Sequence, residues 1–186
     1  MRVIAGSARS LLLKTVPGLD VRPTTDRIKE TLFNMLAPVI PECRFLDIFA
    51  GSGAIGIEAM SRGASEAVFV DSARASAECI EDNLRHTKFT ENTRVLKTDA
   101  LSAVAMLERE GKAFDIIFMD PPYNKDLERE VLERLRGSKL VTESTKIIVE
   151  ASVSTDFGYL SELGFTITKN KEYKTNKHVF IAMAER

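Results

Sequence analysis

Leu46-Asp47-Ile48-Phe49-Ala50-Gly51-Ser52-Gly53-Ala54-Ile55-Gly56 decides the fold of this 186-residue chain. An apolar run ends in a glycine-rich turn, and a helical pattern follows at once. Arg44–Phe49 reads as a short buried strand and Gly53–Arg62 as a helix closed by Gly63. The glycines let the turn tighten and let backbone approach a ligand, while the helix start presents unpaired N–H groups. The same unit recurs downstream. Strand Ala67–Asp71 leads to helix Ala73–His86, and strand Thr93–Lys97 to helix Ala100–Glu110. Strand Phe114–Met119 leads to helix Lys125–Arg136, and Lys146–Glu150 is a fifth strand. Strands alternating with helices of this length predict an α/β fold with a doubly wound parallel sheet. Phe165–Glu172 and His178–Ala184 predict a terminal antiparallel pair joined through Tyr173–Lys177.

Upstream, residues 1–16 predict a short pair of strands around Gly6-Ser7-Ala8-Arg9. Pro23 keeps Arg22 extended, and Thr24, Thr25 or Asp26 can cap the next helix. That helix puts Ile28, Leu32, Met35 and Leu36 on one face and stops near Pro38. The expected division is an extension over 1–24 and one compact domain over 25–186.

Composition is that of a globular protein, and no apolar run approaches the roughly 20 residues that span a bilayer. No signal-peptide core precedes Gly6, so a cytoplasmic protein without membrane attachment is expected. Cys43, Cys79, His86 and His178 fall in no metal-ligand spacing, so no metal is expected and both cysteines read as reduced. Net charge is −1, which by itself argues against indiscriminate nucleic-acid binding. Charge is uneven, however. Arg2, Arg9, Lys14 and Arg22 face only Asp20 in residues 1–22, and Lys169, Lys171, Lys174 and Lys177 face only Glu172 in residues 169–178. Two basic segments on a near-neutral body suit a phosphate backbone, although solvated loops with a few lysines are commoner. Nothing in the sequence demands more than a monomer.

The fourth strand ends in Asp120-Pro121-Pro122-Tyr123. Asp120 can accept hydrogen bonds from an exocyclic NH2. Pro121 and Pro122 fix φ and remove two backbone donors, leaving local carbonyls as rigid acceptors. Tyr123 offers a flat face for a base. A lone turn of this kind reads better as a capped, proline-rich corner. A second nucleotide-site signature in the same chain changes that balance.

Gly51-x-Gly53-x-x-Gly56 fits the dinucleotide fingerprint, and Asp71 lies where a ribose contact is expected. Asp47 and Asp99 point elsewhere. A carboxylate at Asp47 suits a cationic amino group better than a pyrophosphate, and Asp99 offers an acceptor to an adenine amino group. Asp71 and Asp99, taken singly, would serve equally well as helix caps. Together the three acids describe a site for S-adenosylmethionine (SAM), an adenosine carrying a positively charged, amine-bearing tail. Phe49, Ala50, Gly51, Ser52, Gly53 and Ala100 complete the expected cofactor set.

Asp47–Gly53, Asp71, Asp99 and Asp120–Tyr123 resemble the motifs of class I SAM-dependent methyltransferases that act on exocyclic base nitrogens. Arg2-Val3-Ile4-Ala5-Gly6, Arg22-Pro23-Thr24-Thr25-Asp26-Arg27 and the Lys29–Leu36 pattern resemble the RsmD family, the bacterial 16S ribosomal RNA guanine-N2 methyltransferases. The sequence departs from that pattern at Ser7–Leu11, which lacks the usual glycine and lysines, and at Asp71, where a glutamate is usual. The resemblance implies a Rossmann-like, seven-stranded sheet with its last strand antiparallel. It implies 16S rRNA, within a small ribosomal subunit or its assembly intermediate, as partner. It further implies that the N-terminal hairpin, with Arg22, Pro23, Thr24 and Arg27, helps hold RNA. The target guanine would leave its stack to enter the pocket. An adenine-N6 DNA methyltransferase uses the same turn and is the alternative, although too few residues remain for a large target-recognition region. A dinucleotide oxidoreductase or silent binding module would leave Asp120–Tyr123 unexplained.

Overall fold

The computed structural model describes residues 1–16, 25–123 and 125–184. Five strands, β1 (Arg44–Ile48), β2 (Glu66–Val70), β3 (Thr93–Leu96), β4 (Ile116–Met119) and β5 (Lys146–Ser152), are mutually parallel. Two further strands, β6 (Phe165–Glu172) and β7 (Asn176–Met183), complete a seven-stranded sheet in the order β3-β2-β1-β4-β5-β7-β6. The last strand, β7, runs antiparallel to both of its neighbours. The α/β, mostly parallel sheet is therefore as the sequence predicts. Its central strands are buried on both faces, which is why β2 and β4 read as continuous runs, Ala-Val-Phe-Val and Ile-Ile-Phe-Met.

Helices α1 (Asp26–Leu36), α2 (Ala54–Ser61) and α3 (Arg74–Thr87) share one core with Phe45, Phe69, Phe118, Ile148 and Phe180. Helices α4 (Ala100–Glu110) and α5 (Leu127–Leu135) share the other with Leu46, Ile48, Ile117, Met119 and Val149. Alternate residues of each strand thus feed alternate cores. The order of connection reverses between β1 and β4, the place where open sheets of this kind open a crevice.

Boundaries differ from expectation for local reasons. β4 begins at Ile116, because Phe114 N–H bonds to the Leu140 carbonyl and Asp115 is taken up by Arg44. α5 begins at Leu127, because Asp126 sits in the left-handed region at φ 53°. Two short 3-10 helices, Ala37–Val39 and Gly158–Leu163, have no counterpart in the sequence reading. Thr25 is the cap of α1, its hydroxyl accepting from Ile28 N–H.

The N-terminal segment folds back on itself, but through a single bridge, Arg2 to Leu12, in place of a pair of strands. The reason lies in α2. Ile4 and Ala5 give their N–H groups to Glu58, Ser7 to the Ser61 carbonyl and Ala8 to the Ser61 hydroxyl, so these donors are spent on the helix. Gly6 is required: at φ 84°, a Cβ there would stand 1.7 Å from the Ser61 carbonyl oxygen. Val3, Ala8 and Leu13 enter the α1–α3 core, so residues 1–16 have no separate core of their own. The boundary expected at 24 lies outside the described residues. Among those residues no helix is long and apolar enough to cross a membrane.

Candidate active site

The site is built from the carboxyl ends of β1, β2, β3 and β4. After Ile48 the chain turns through Phe49 (φ 63°), Gly51 (φ 57°) and Gly53 (φ 77°) into α2. The three glycines do different work. Gly51 has open space around a notional Cβ and is needed for its φ alone. At Gly56 a Cβ would lie 2.3 Å from the Phe69 ring, so this residue lets α2 pack closely on β2. Gly53 combines its left-handed φ with a close approach to Ile80.

Two of the expected ligand acids also hold this turn in shape. Asp71 takes the Gly51 N–H on one oxygen and the Ala73 N–H on the other, each at 2.9 Å. Asp47 takes the Gly56 N–H at 2.9 Å while only 1% exposed. Burial pushes the Asp47 carboxyl up to about 7, the Gly56 N–H pulls it back, and the neighbouring Asp71 charge adds to the rise. A group so placed is poised to be ionised by a nearby cation. Asp99 is the cap of α4, accepting from Ser102 N–H at 2.9 Å, and that bond holds its carboxyl below the usual carboxylate range. The cap reading, open for Asp71 and Asp99 in the sequence, is thus realised for Asp99. Asp71 does not cap α3, whose first turn is preceded by Ala73; it braces the glycine turn instead. Carboxylate oxygens accept more than one bond each, so both acids keep capacity for a ligand.

A cleft of about 250 Å³ opens beside this turn, lined by Phe49, Val70, Asp71, Asp99, Leu101 and Val131 among others. Its volume is a little below the roughly 300–1,000 Å³ of small-molecule sites, and its walls mix apolar side chains with acids. Ala100 also borders it, whereas Asp47, Ala50, Gly51, Ser52 and Gly53 lie in or beneath the turn. A hollow of similar volume at the opposite sheet edge is lined by Arg44, Glu66 and Arg94, and the Arg44–Glu66 ion pair at 2.9 Å already occupies its charges.

Asp120 follows β4 directly and is partly buried, next to Pro121, which is buried. Burial raises its carboxyl well above the ordinary range, and the charges of Glu150 and then Asp47 raise it further. Pro122 and Tyr123 are exposed, Tyr123 by 41%. Glycine turn and Asp120 turn are therefore neighbours on one edge, as β1 and β4 are neighbours in the sheet. Arg27 is exposed on α1. Arg22, Pro23 and Thr24 lie outside the described residues, as does Asn124.

Several residues of the site escape a reading by motif. Asn83 on α3 donates to the Ser52 carbonyl at 2.9 Å and to the Lys14 carbonyl at 3.0 Å, tying the glycine turn to the N-terminal segment. Leu101 and Glu130 line the cleft. Glu150, beside Asp120, is 4% exposed and paired with the buried His178. Cys43 and Cys79 are unbridged and buried; burial pushes the Cys43 thiol up to about 12, which suits packing over nucleophilic work.

Residues 1–182 match the protein family described as "Conserved hypothetical protein 95". The chain is 39% identical over 153 residues to "Ribosomal RNA small subunit methyltransferase D" of Escherichia coli (strain K12), covering 82% of this chain and 75% of that one. It is 33% identical over 172 residues to the protein of that name from Haemophilus influenzae, covering 92% and 88%. Among solved structures, "Putative methyltransferase yhhF from Escherichia coli" superposes with a TM-score of 0.84 at 35% identity, over 100% of this chain and 99% of that one.

Proposed function

Because the chain belongs to the conserved hypothetical protein 95 family, which is the RsmD family, we propose that it is a SAM-dependent methyltransferase of ribosomal RNA. We place its target at the exocyclic N2 amine of a guanine in 16S rRNA of the small subunit. The observation that carries this reading is the pairing of two turns at the switch point, the glycine turn after β1 and Asp120–Tyr123 after β4. The first suits a nucleoside with a cationic tail, the second a planar amine. Support for RNA comes from the relatives, which are named as ribosomal RNA enzymes. No observation favours the adenine-N6 DNA alternative or an oxidoreductase.

The residues present fit SAM. Asp47, buried and hard to ionise alone, gains a partner in the ammonium of the tail. Phe49–Gly53 supply close-approaching backbone, Asp71 can reach ribose hydroxyls, and Asp99 with Ala100 borders the space for adenine. When bound, SAM supplies a methyl group on a sulfonium, with a neutral thioether as leaving group. The chain's own task is then to present the amine. An exocyclic amine is a poor nucleophile because its lone pair is delocalised into the ring. Asp120 and the Pro121 carbonyl accept its two N–H bonds, favour a pyramidal nitrogen and aim its lone pair. Tyr123 stacks on the base. Positioning contributes most of the rate. Asp120, whose surroundings make it reluctant to stay ionised, takes the proton that the nitrogen sheds. Arg22, Pro23, Thr24 and Arg27 would help hold RNA. The chain would work as a monomer.

The test is methyl transfer from labelled SAM to small ribosomal subunits from cells lacking this gene, with naked 16S rRNA alongside, followed by nucleoside analysis. N2-methylguanosine in subunits or RNA is expected. Labelled N6-methyladenosine, or label in duplex DNA only, would overturn the assignment of base and substrate.

A further inference from the structure

Sheet register sets three ionisable side chains in a row beyond the core. Phe118, Ile148 and Phe180 pair across β4, β5 and β7 and face the α1–α3 core. Two residues on, at the carboxyl ends of β4 and β5 and the facing start of β7, the same side carries Asp120, Glu150 and His178. Glu150 and His178 are 4% and 0% exposed. Both oxygens of Glu150 are engaged, one accepting from Asn176 Nδ2 at 2.7 Å and the other 3.0 Å from His178 Nε2, which donates in the Nε2–H tautomer. That is the bonding pattern of a carboxylate. The His178 ring is fixed edge-on by Phe118 and Tyr173, and its Nδ1 lies 3.4 Å from the Tyr173 hydroxyl. Among the described residues no three acids, histidines or cysteines are grouped to hold a metal ion.

Other charges around the row are placed elsewhere. Lys171 of β6 pairs opposite His178 on the exposed edge, and Lys177 reaches the carbonyls of Val153 and Thr155. Asp47 on β1 adds a further carboxyl on the same face. If Glu150 and His178 only joined β5 to β7, an apolar pair would do so at less desolvation cost. Their place beside Asp120 gives them another use.

We infer that Glu150, held in place by Asn176 and His178, is a positioning residue for methyl transfer: its carboxyl beside Asp120 makes Asp120 the proton acceptor. This rests on the reading given above, that Asp120 receives the amine. As the nitrogen lone pair closes the N–C bond, the methyl–sulfur pair returns to sulfur and the N–H proton moves to an Asp120 oxygen. The proton then leaves to solvent with the product.

The test follows Asp120 itself. In protein carrying 13C-labelled aspartate carboxyls, Glu150→Gln should lower the protonation midpoint of Asp120 by roughly one pH unit or more. The acid limb of kcat on small ribosomal subunits should move down with it, and the plateau should fall by up to about tenfold, while SAM affinity holds. Glu150→Asp, which keeps the charge but withdraws it, should give a smaller shift in the same direction and serves if the glutamine variant fails to fold. His178→Gln, which retains a donor to Glu150, should leave the midpoint in place. An unmoved midpoint in both Glu150 variants would overturn the inference. Should the midpoint fall although the wild-type chain methylates no base amine, the coupling would stand. The assigned reaction would then fail, and with it the catalytic use of Glu150.

Discussion

Two groups of buried charge lie on the same face of the sheet and are built on opposite rules. Under the N-terminal segment, Lys29 and Glu58 are each 0% exposed and meet at 3.1 Å. Arg62 adds a second cation at 2.8 Å, Ile4 and Ala5 add two N–H donors, and Lys29 Nζ also donates to the Arg2 carbonyl at 2.6 Å. Opposite charges meet, and both Glu58 oxygens are already engaged by the chain's own donors. At the carboxyl edge the groups are mostly of one sign: buried Asp47 and Glu150 and partly buried Asp120, with buried His178 beside them. The first group has nothing to offer a ligand and fixes the chain in place. The second is costly to hold without one, and that cost keeps its acids reactive. Burial alone therefore does not say what a charge is for; the sign of its neighbours does.

The largest effect should come from removing the centre of the like-charged group. Asp120→Ala should lower methyl transfer by about 10²–10⁴-fold, with SAM affinity and thermal stability retained. Surviving turnover would remove Asp120 from the chemistry. The matched group should show the reverse pattern. Glu58→Ala leaves a buried lysine without its counter-ion and should cost about 3–5 kcal/mol in urea unfolding, with SAM affinity changed only through loss of fold. Replacing Lys29 and Glu58 together by methionine should cost less than Glu58→Ala alone. A single-mutant loss below about 1 kcal/mol would mean that the pair is not the clamp its geometry suggests.

Asp47 ties the two rules together through pH. Its folded carboxyl titrates near 7 and its unfolded one in the ordinary carboxylate range, so the folded chain holds the extra proton between those values. Stability of the ligand-free chain, to the extent that Asp47 sets it, should thus fall as pH rises through that window and level off above about 7. An ammonium against Asp47 drives the proton off. SAM affinity by calorimetry should then weaken by up to about tenfold per unit as pH drops below 7. Asp47→Asn should flatten both profiles; unchanged profiles would put the cationic tail elsewhere. The smallest effect belongs to exposed charge. Lys14→Ala breaks a surface pair with Asp82 and should leave the melting temperature unchanged within error.

The alternation of strands and helices was readable because parallel strands buried on both faces leave continuous apolar runs, as in Ile116–Met119. The glycine turn was readable because two left-handed positions and one close helix–strand approach all favour glycine, and the three fall at a recognisable spacing. Asp71 and Asp99 were readable as site acids but not as structural braces, since a cap and a ligand contact require the same residue type. Glu150 and His178 were out of reach. Their contact depends on the register of β5 against β7, 28 residues apart, and no local period records that register. Lys29 and Glu58 did leave a trace. Lys29 shares a helical face with Leu32, Phe33 and Leu36, and Glu58 is the only charge in a helix otherwise apolar or small all round. A charge so placed needs a buried partner.

The anchoring of the N-terminal segment also orders events during synthesis. Ile4 waits for Glu58, 54 residues later, and Lys14 waits for Asn83, 69 residues later. At about 5–20 residues per second, that is several seconds in which the segment has been made but its partners have not. The stretch is polar enough at Gly6-Ser7-Ala8-Arg9-Ser10 to pass that interval in water. Its docking then reports that α2 and α3 are in place, so the glycine turn is braced from behind only after the helices that frame it exist.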